Sequence, residues 1–317
     1  MTLDNIKEEI LNSKNIVILT HEVPDGDAIG SSLAMYIGLK QLEKDVDVVI
    51  PKFSKTYKFL PAVDEIKEQG RMETYDLAIA LDCGDIKRLN GFSRYFEYAN
   101  CKISIDHHEA NTMFADYNFV NPTAPACAQI LITVLKALDI EITKDIGTCL
   151  LTGIITDTGG FRYQNVKPET FEFAAELLTR GVNVSEIYKK ALQTIPIEKF
   201  ELRKIAMNRV EILEEGKIAF TYITKKDEEQ TKSEDHDGIV EIGRDIEGVE
   251  VSIFLRETGE NEYKISLRSN DNVNVSDICL MFNGGGHMRA AGGTINLPFE
   301  KAKEKIIAEC KKHLSEN

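Results

Sequence analysis

Two hydrophobic periods alternate along the first half of the chain. NIVILT (15–20), VDVVI (46–50), LAIALD (77–82) and KISID (102–106) are short, almost wholly apolar runs, the pattern of strands buried on both faces. Between them lie stretches of helical spacing: LDNIKEEILN (3–12), SLAMYIGLKQLEK (32–44) and a longer one around AQILITVLKAL (128–138). Strands alternating with helices predict an α/β domain with a parallel sheet flanked by helices. Two more helical patterns follow, KDIGTCLLTGIITD (144–157) and ETFEFAAELLTRG (169–181), the second stopping at Gly181 as a helix C-terminus does. The stretch 186–214 stays helical but becomes strongly charged, and reads as a linker between a first domain at 1–185 and a smaller α/β domain at 215–317. In that second domain KIAFTYIT, VEVSIFL and EYKISLRS read as half-buried antiparallel strands, with helices at DGIVEIGRDI, NVSDICLMF and FEKAKEKIIAECKKHL.

The chain's 317 residues, 43% of them hydrophobic, exceed the usual span of one domain and agree with this division. A formal charge of −14 argues against a protein that coats long nucleic acid, so no long duplex is expected as a partner. A small anionic substrate stays open if cations sit in the site. Six cysteines without C-x-x-C spacing, mostly inside apolar runs, read as reduced core residues of a cytoplasmic protein, with disulfides the alternative. The N-terminal stretch carries acids and no apolar leader, and no run reaches the length of a membrane span, so no membrane association is expected.

Each strand of the first half ends in acids or imidazoles. NIVILT runs into His21, Asp25 and Asp27, LAIAL into Asp82 and Asp85, and KISI into Asp106, His107 and His108. The carboxyl ends of parallel strands share one edge, where ligands bind, so these groups converge. Asp157 closes an otherwise apolar helix before Gly159 and Gly160 and can turn its carboxylate toward them. Taken singly, each has a plain structural reading. PDGD fits a solvated turn, Asp85 fits the cap of a helix starting at Ile86, and Asp157 fits a helix end. Adjacent histidines beside an aspartate have no such routine role. Together, carboxylates at one edge would repel one another unless divalent cations neutralised them. Oxygen donors with a few imidazoles and no thiolate pattern suit manganese, iron or magnesium. Two neighbouring ions bridged by one carboxylate would generate a hydroxide and clamp a phosphoryl group. His236 and His313 read as solvated and receive no role.

The ordered set HEVPDGDAIGSS, LDCGD, DHH, TGIITDTGGF and, much later, NGGGH resembles the DHH/DHHA1 phosphoesterase superfamily over nearly the whole chain, and its C-terminal half resembles the nanoRNase type. The resemblance implies an N-terminal DHH domain, a helical linker, a DHHA1 domain that closes over substrate, and two ions, Mn2+ by preference, with Mg2+ or another divalent ion as alternatives. It implies that His21, Asp25 and Asp82 hold one ion and that Asp27, Asp82, His107 and Asp157 hold the other, with Asp82 as the bridge. His108 would face the scissile phosphate and Asp106 would orient a histidine. Arg268, Gly284, Gly285, Gly286, His287 and Arg88 would contact substrate, while Arg256 and Asp85 have no settled role.

The implied activity is degradation of short oligoribonucleotides to mononucleotides and removal of the 3′-phosphate of 3′-phosphoadenosine 5′-phosphate (pAp). Linear or cyclic dinucleotide hydrolysis, then inorganic pyrophosphatase, are the alternatives. A non-catalytic nucleotide-binding module is the reading from another class, and a homodimer is compatible with all of them. The chain departs from the family pattern at Ala126, Cys127 and Ala128, where relatives carry hydroxyl residues, and at Asn283, where a further glycine is frequent.

Overall fold

A computed structural model of the chain describes residues 3–50 and 52–315. The chain divides into two compact units, Met1–Thr194 and Ile195–Asn317. In the first unit, among the described residues, the strands β1 (Asn15–Leu19), β2 (Asp45–Val49), β3 (Ile66–Lys67), β4 (Leu77–Leu81), β5 (Cys101–Asp106) and β6 (Tyr117–Val120) form one sheet of order β3-β2-β1-β4-β5-β6. Every ladder in it is parallel. The expected α/β architecture with a parallel sheet is therefore present, and the chain reverses its direction of travel across the sheet between β1 and β4.

Alternation explains why the strand runs are apolar throughout. In β1, Ile16 and Ile18 face one side, packed with α1 (Leu3–Asn12), α2 (Gly26–Gln41), α4 (Cys127–Ala137) and α5 (Lys144–Asp157). Val17 and Leu19 face the other, with Tyr95 and Phe96 of α3 (Ser93–Glu97). Helices α6 (Pro168–Thr179) and α7 (Val184–Tyr188) close the unit, with Leu177 and Ile187 in the larger core. Asp47, fully buried within β2, is a charged exception. Its carboxylate accepts from Tyr75 Oη at 2.5 Å, Arg71 Nε at 2.6 Å, Arg71 N at 2.8 Å and Lys67 Nζ at 2.9 Å.

Helices α2 and α5 approach closely because both carry glycine at the crossing. A Cβ on Gly30 would stand 2.4 Å from the Cys149 carbonyl oxygen, and one on Gly153 would stand 2.5 Å from Asp27 Oδ1 and 2.7 Å from Ala128 Cβ.

The second unit opens with α8 (Ile197–Asn208). Its sheet, among the described residues, contains β7 (Glu211–Leu213), β8 (Ile218–Ile223), β9 (Val251–Gly259), β10 (Glu262–Ser269), β11 (Gly285–His287) and β12 (Ala290–Asn296) in the order β11-β12-β10-β9-β8-β7. Ile253, Leu255, Ile265 and Leu267 bury one face under α11 (Val275–Leu280) and α12 (Phe299–Ser315). On the other face Phe254 and Ile223 pack with Leu202 and Ala206 of α8 and with Ile239 and Val240 of α10 (Ile239–Arg244). The segment 186–214 thus contributes to both units, since Ile187 is core in the first and Leu202 is core in the second.

One expectation needs correction. KIAFTYIT and VEVSIFL pair in parallel, β8 beside β9, because α9 (Lys225–Thr231) and α10 form the crossover that returns the chain in the same direction. Within NGGGH, Gly285–His287 form β11 and pair with β12. A Cβ on Gly284 would fall 2.0 Å from the Gly292 carbonyl oxygen, so part of the glycine run serves close strand approach.

Candidate metal centre

The carboxyl ends of β1, β4 and β5, neighbours at the point where the strand order reverses, bring the first unit's acids and imidazoles together. Three sets of potential ligand atoms occur, the atoms of each set lying within 4.8 Å of one another: His21, Asp25 and Asp82; Asp27, His107 and Asp157; and Asp82, His107 and His108. Asp82 is common to two of them. It follows β4 with φ +52°, a left-handed backbone uncommon outside glycine, and its amide donates to the Ile105 carbonyl at 3.1 Å. That turn directs a carboxylate 99% buried into the cluster. Its Oδ2 lies 3.8 Å from His21 Nε2, and its Oδ1 lies 3.3 Å from His107 Nε2 and 3.6 Å from His108 Nδ1. No well-directed hydrogen bond reaches Asp82 Oδ1, and the buried His21 Nδ1 has no partner at all.

Asp25 caps α2, accepting from the amides of Asp27 at 3.0 Å and Ala28 at 3.1 Å. Asp27, in the first turn of α2, is completely buried and clamped from three directions. The amides of Cys127 and Ala128, at the start of α4, donate to it at 2.5 and 2.9 Å, and Ser31 Oγ donates at 3.1 Å. A helix N-terminus thus grips this carboxylate through its free N–H groups, so the side chains at 126–128 need no hydroxyl for the contact. Asp157 ends α5 with Oδ2 at 3.2 Å from His107 Nε2, and the other nitrogen of His107 lies 3.3 Å from the Ala124 carbonyl. His108 Nδ1 lies 2.7 Å from Asp106 Oδ1, while Asp106 Oδ2 accepts from Asn111 Nδ2 at 2.6 Å.

The electrostatics are those of crowded, dehydrated anions. Burial and then the Asp82 charge push Asp27 up to about 8. Burial pushes Asp82 up to about 6, and burial with the Asp27 charge pushes Asp157 up to about 7. Burial lowers His21. For His107 burial acts downward, but contacts with Asp157 and Asp82 outweigh it and hold the imidazole up to about 11. The hydrogen bond to Asp106 raises His108. Four carboxylates and two or three imidazoles, with an unpartnered buried oxygen and nitrogen among them, fit hard divalent cations.

Three of the contacts here were not read from the sequence: Asn111, Ser31 and the 127–128 amides. Ser31 stands four residues after Asp27 on a helix, a spacing that could have revealed it. Asp85 is a cap, accepting from the Lys87 amide at 2.8 Å. Arg88 is exposed, its carbonyl accepting from the Glu22 amide at 2.8 Å, and its charge is among those that lower His21.

In the second unit Arg268 donates from Nε to Glu241 at 3.1 Å and from Nη1 to the Leu267 carbonyl at 3.0 Å. Gly284 and Gly285 are half-buried beside the exposed Gly286 and His287. His236, expected to be solvated, is only 14% exposed because Glu228 and Arg256 engage both its nitrogens.

Residues 15–154 match the DHH family, N-terminal domain, and residues 215–316 match the DHHA1 domain. A curated relative, the bifunctional oligoribonuclease and PAP phosphatase NrnA of Thermus thermophilus, is 36% identical over 304 residues, 95% of this chain and 90% of the relative. An exopolyphosphatase-related protein of Bacteroides fragilis is similar in structure, with TM-score 0.88 and 29% identity over 98% of this chain and 95% of its own. The exonuclease RecJ bound to manganese shares the fold at TM-score 0.53 and 16% identity, covering 97% of this chain and 92% of its own.

Proposed function

This chain belongs to the DHH family, with a DHHA1 domain after the DHH domain, and from that premise we propose that it is a metal-dependent phosphoesterase acting on short oligoribonucleotides and pAp. The observation that carries the reading is the set of His/Asp groups meeting at Asp82, whose Oδ1 is buried without a well-directed donor. His21, Asp25 and Asp82 would hold one ion; Asp27, Asp82, His107 and Asp157 would hold the other, with manganese the preferred metal. Bound there, such ions supply Lewis-acid polarisation of a phosphoryl oxygen and a water acidic enough to ionise near neutral pH.

The chain's own groups do the rest. Asp106, held by Asn111, accepts from His108 Nδ1 and leaves Nε2 for the substrate. The contact with Asp106 raises His108 and so favours its charged form; a proton held at Nε2 would bond a phosphoryl oxygen and pass to the departing ester oxygen. The 127–128 amides and Ser31 fix Asp27 in one rotamer, so a ligand there is positioned before anything binds. Arg268, already oriented by Glu241, keeps further N–H donors for a terminal phosphate, with the glycine run and His287 on the strand two ladders away. Arg88 would add a cation at the rim of the first unit's cluster. The acidic surface disfavours long duplexes, and the absence of a helix long and apolar enough to cross a membrane, among the described residues, is compatible with a cytoplasmic enzyme. The test is one assay series with Mn2+ on pAp, RNA dimers to pentamers, a cyclic dinucleotide and pyrophosphate. Turnover of pAp and the short RNAs is expected; hydrolysis of pyrophosphate alone would overturn the substrate assignment.

A further inference from the structure

The second sheet carries an unneutralised pair of cations. Register places Lys264 of β10 directly opposite Arg256 of β9, on the sheet face that also presents Arg268 and, between the two β10 cations, Ser266. Like charges opposite one another on a ladder repel, and a chain with 52 acidic against 38 basic residues has carboxylates to spare. Yet among the described residues no ion pair joins a carboxylate to Arg256 or Lys264, whereas Arg268 has Glu241 at 3.1 Å. The contact that Arg256 makes is from Nη1 to His236 Nδ1 at 3.2 Å, while His236 Nε2 lies 2.6 Å from Glu228 Oε1. Burial, then the Arg256 charge, lowers His236. A neutral ring donating at Nε2 and accepting at Nδ1 aims the guanidinium without cancelling its charge.

The surroundings suit a sugar-phosphate chain. Apolar packing covers this face over β8 and β9. Toward the β11 edge the face turns small and polar: Gly292 and Thr294 of β12 stand opposite Ser266 and Lys264, all half-buried except the exposed lysine. Arg268 lies four positions along β10 from Lys264, roughly 13 Å in an extended strand. That distance exceeds one nucleotide step, given a rise of about 3.4 Å per nucleotide even in a stacked strand.

We propose that Arg256 and Lys264 form a second anion subsite, which holds a further phosphate of an oligoribonucleotide whose terminal phosphate is at Arg268, and so favours oligonucleotides over pAp. This rests on the function proposed above. A mononucleotide at Arg268 does not reach the pair; about four steps of a stacked chain running along β10 do, with Ser266 beside its path.

The test compares wild type, Lys264→Gln and the Arg256→Gln/Lys264→Gln double variant. For each, kcat/KM is measured on an RNA pentamer and on pAp with Mn2+, and pentamer affinity is measured against salt. Lys264→Gln should lower the pentamer-to-pAp ratio about tenfold, the double variant further, and the log–log salt slope for the pentamer should shrink by about 0.7 per lost phosphate contact. A ratio within twofold of wild type with an unchanged slope overturns the subsite. Lys264 is exposed, so the single variant decides the matter if the double variant does not fold. If wild type turns over none of these substrates, the function reading fails on its own. Direct binding of a fluorescent pentamer then decides the subsite: weaker binding by Lys264→Gln supports it, and equal binding overturns it.

Discussion

Replacing Gly153 with alanine tests whether the α2–α5 crossing sets the position of Asp27. The added methyl carbon would stand 2.5 Å from Asp27 Oδ1, against an ordinary contact of 3.4 Å or more, so something must yield by about 0.9 Å. The carboxylate cannot rotate away without losing the Cys127 and Ala128 amides, and Ala128 Cβ blocks the other side at 2.7 Å. The helices must therefore part, and overpacking of this kind costs about 1–3 kcal/mol. For a unit of this size that lowers Tm by roughly 2–12 °C. A shift of this order exceeds the roughly 0.5 Å tolerance of a positioned ligand set, so Mn2+ affinity should fall about 10- to 100-fold. Thermal denaturation with and without metal, and calorimetric Mn2+ titration, measure both. A variant keeping wild-type Tm and Mn2+ affinity within twofold would refute the claim that backbone contact at this crossing holds Asp27.

Asp82→Asn should abolish metal-dependent turnover, by a factor of about 1,000 or more, while leaving the metal-free protein at least as stable as wild type, because it removes one of several mutually repelling buried charges; kinetics and urea denaturation read the two effects. Asn111→Ala should lower kcat about 10- to 100-fold with KM and Mn2+ affinity nearly unchanged, since it frees Asp106 and through it His108; a matching loss of metal binding would contradict that route. Asp47→Asn should destabilise the first unit by about 1–3 kcal/mol near neutral pH, measured by urea denaturation. Hydrogen bonds from Tyr75, Lys67 and Arg71 outweigh burial and hold Asp47 down to about 2, below its unfolded value near 3.9. Its contribution is thus complete above about pH 4 and lost as pH falls toward 2, so the gap between wild type and variant should close over that interval.

The parallel sheet and the meeting of its strand ends were legible because each buried strand had to be apolar on both faces, which left His21, Asp27, Asp82 and the 106–108 cluster conspicuous at the ends. Asp157 was legible as the one charge finishing an apolar helix. The grip on Asp27 was not legible, since it comes from the backbone of residues 127 and 128, and a peptide N–H leaves no mark in a side-chain pattern. The direction of β8 was hidden for a related reason: apolar strands look alike whichever way their neighbours run, and only the length and helicity of 225–244 distinguish a crossover from a hairpin. His236 was misread because its partners Glu228 and Arg256 lie 8 and 20 positions away and are joined to it only by tertiary folding.

The backbone of Asp82 sets folding and chemistry at odds. With φ at +52°, a bulky or β-branched residue is strained at this position whatever its polarity, while glycine and asparagine fit comfortably. A library randomised at codon 82 and sorted only for well-folded protein should therefore be enriched in Gly and Asn, neither of which carries a negative charge there. The same library sorted for turnover should return Asp, the residue for which the chain accepts an awkward bend at the mouth of its sheet.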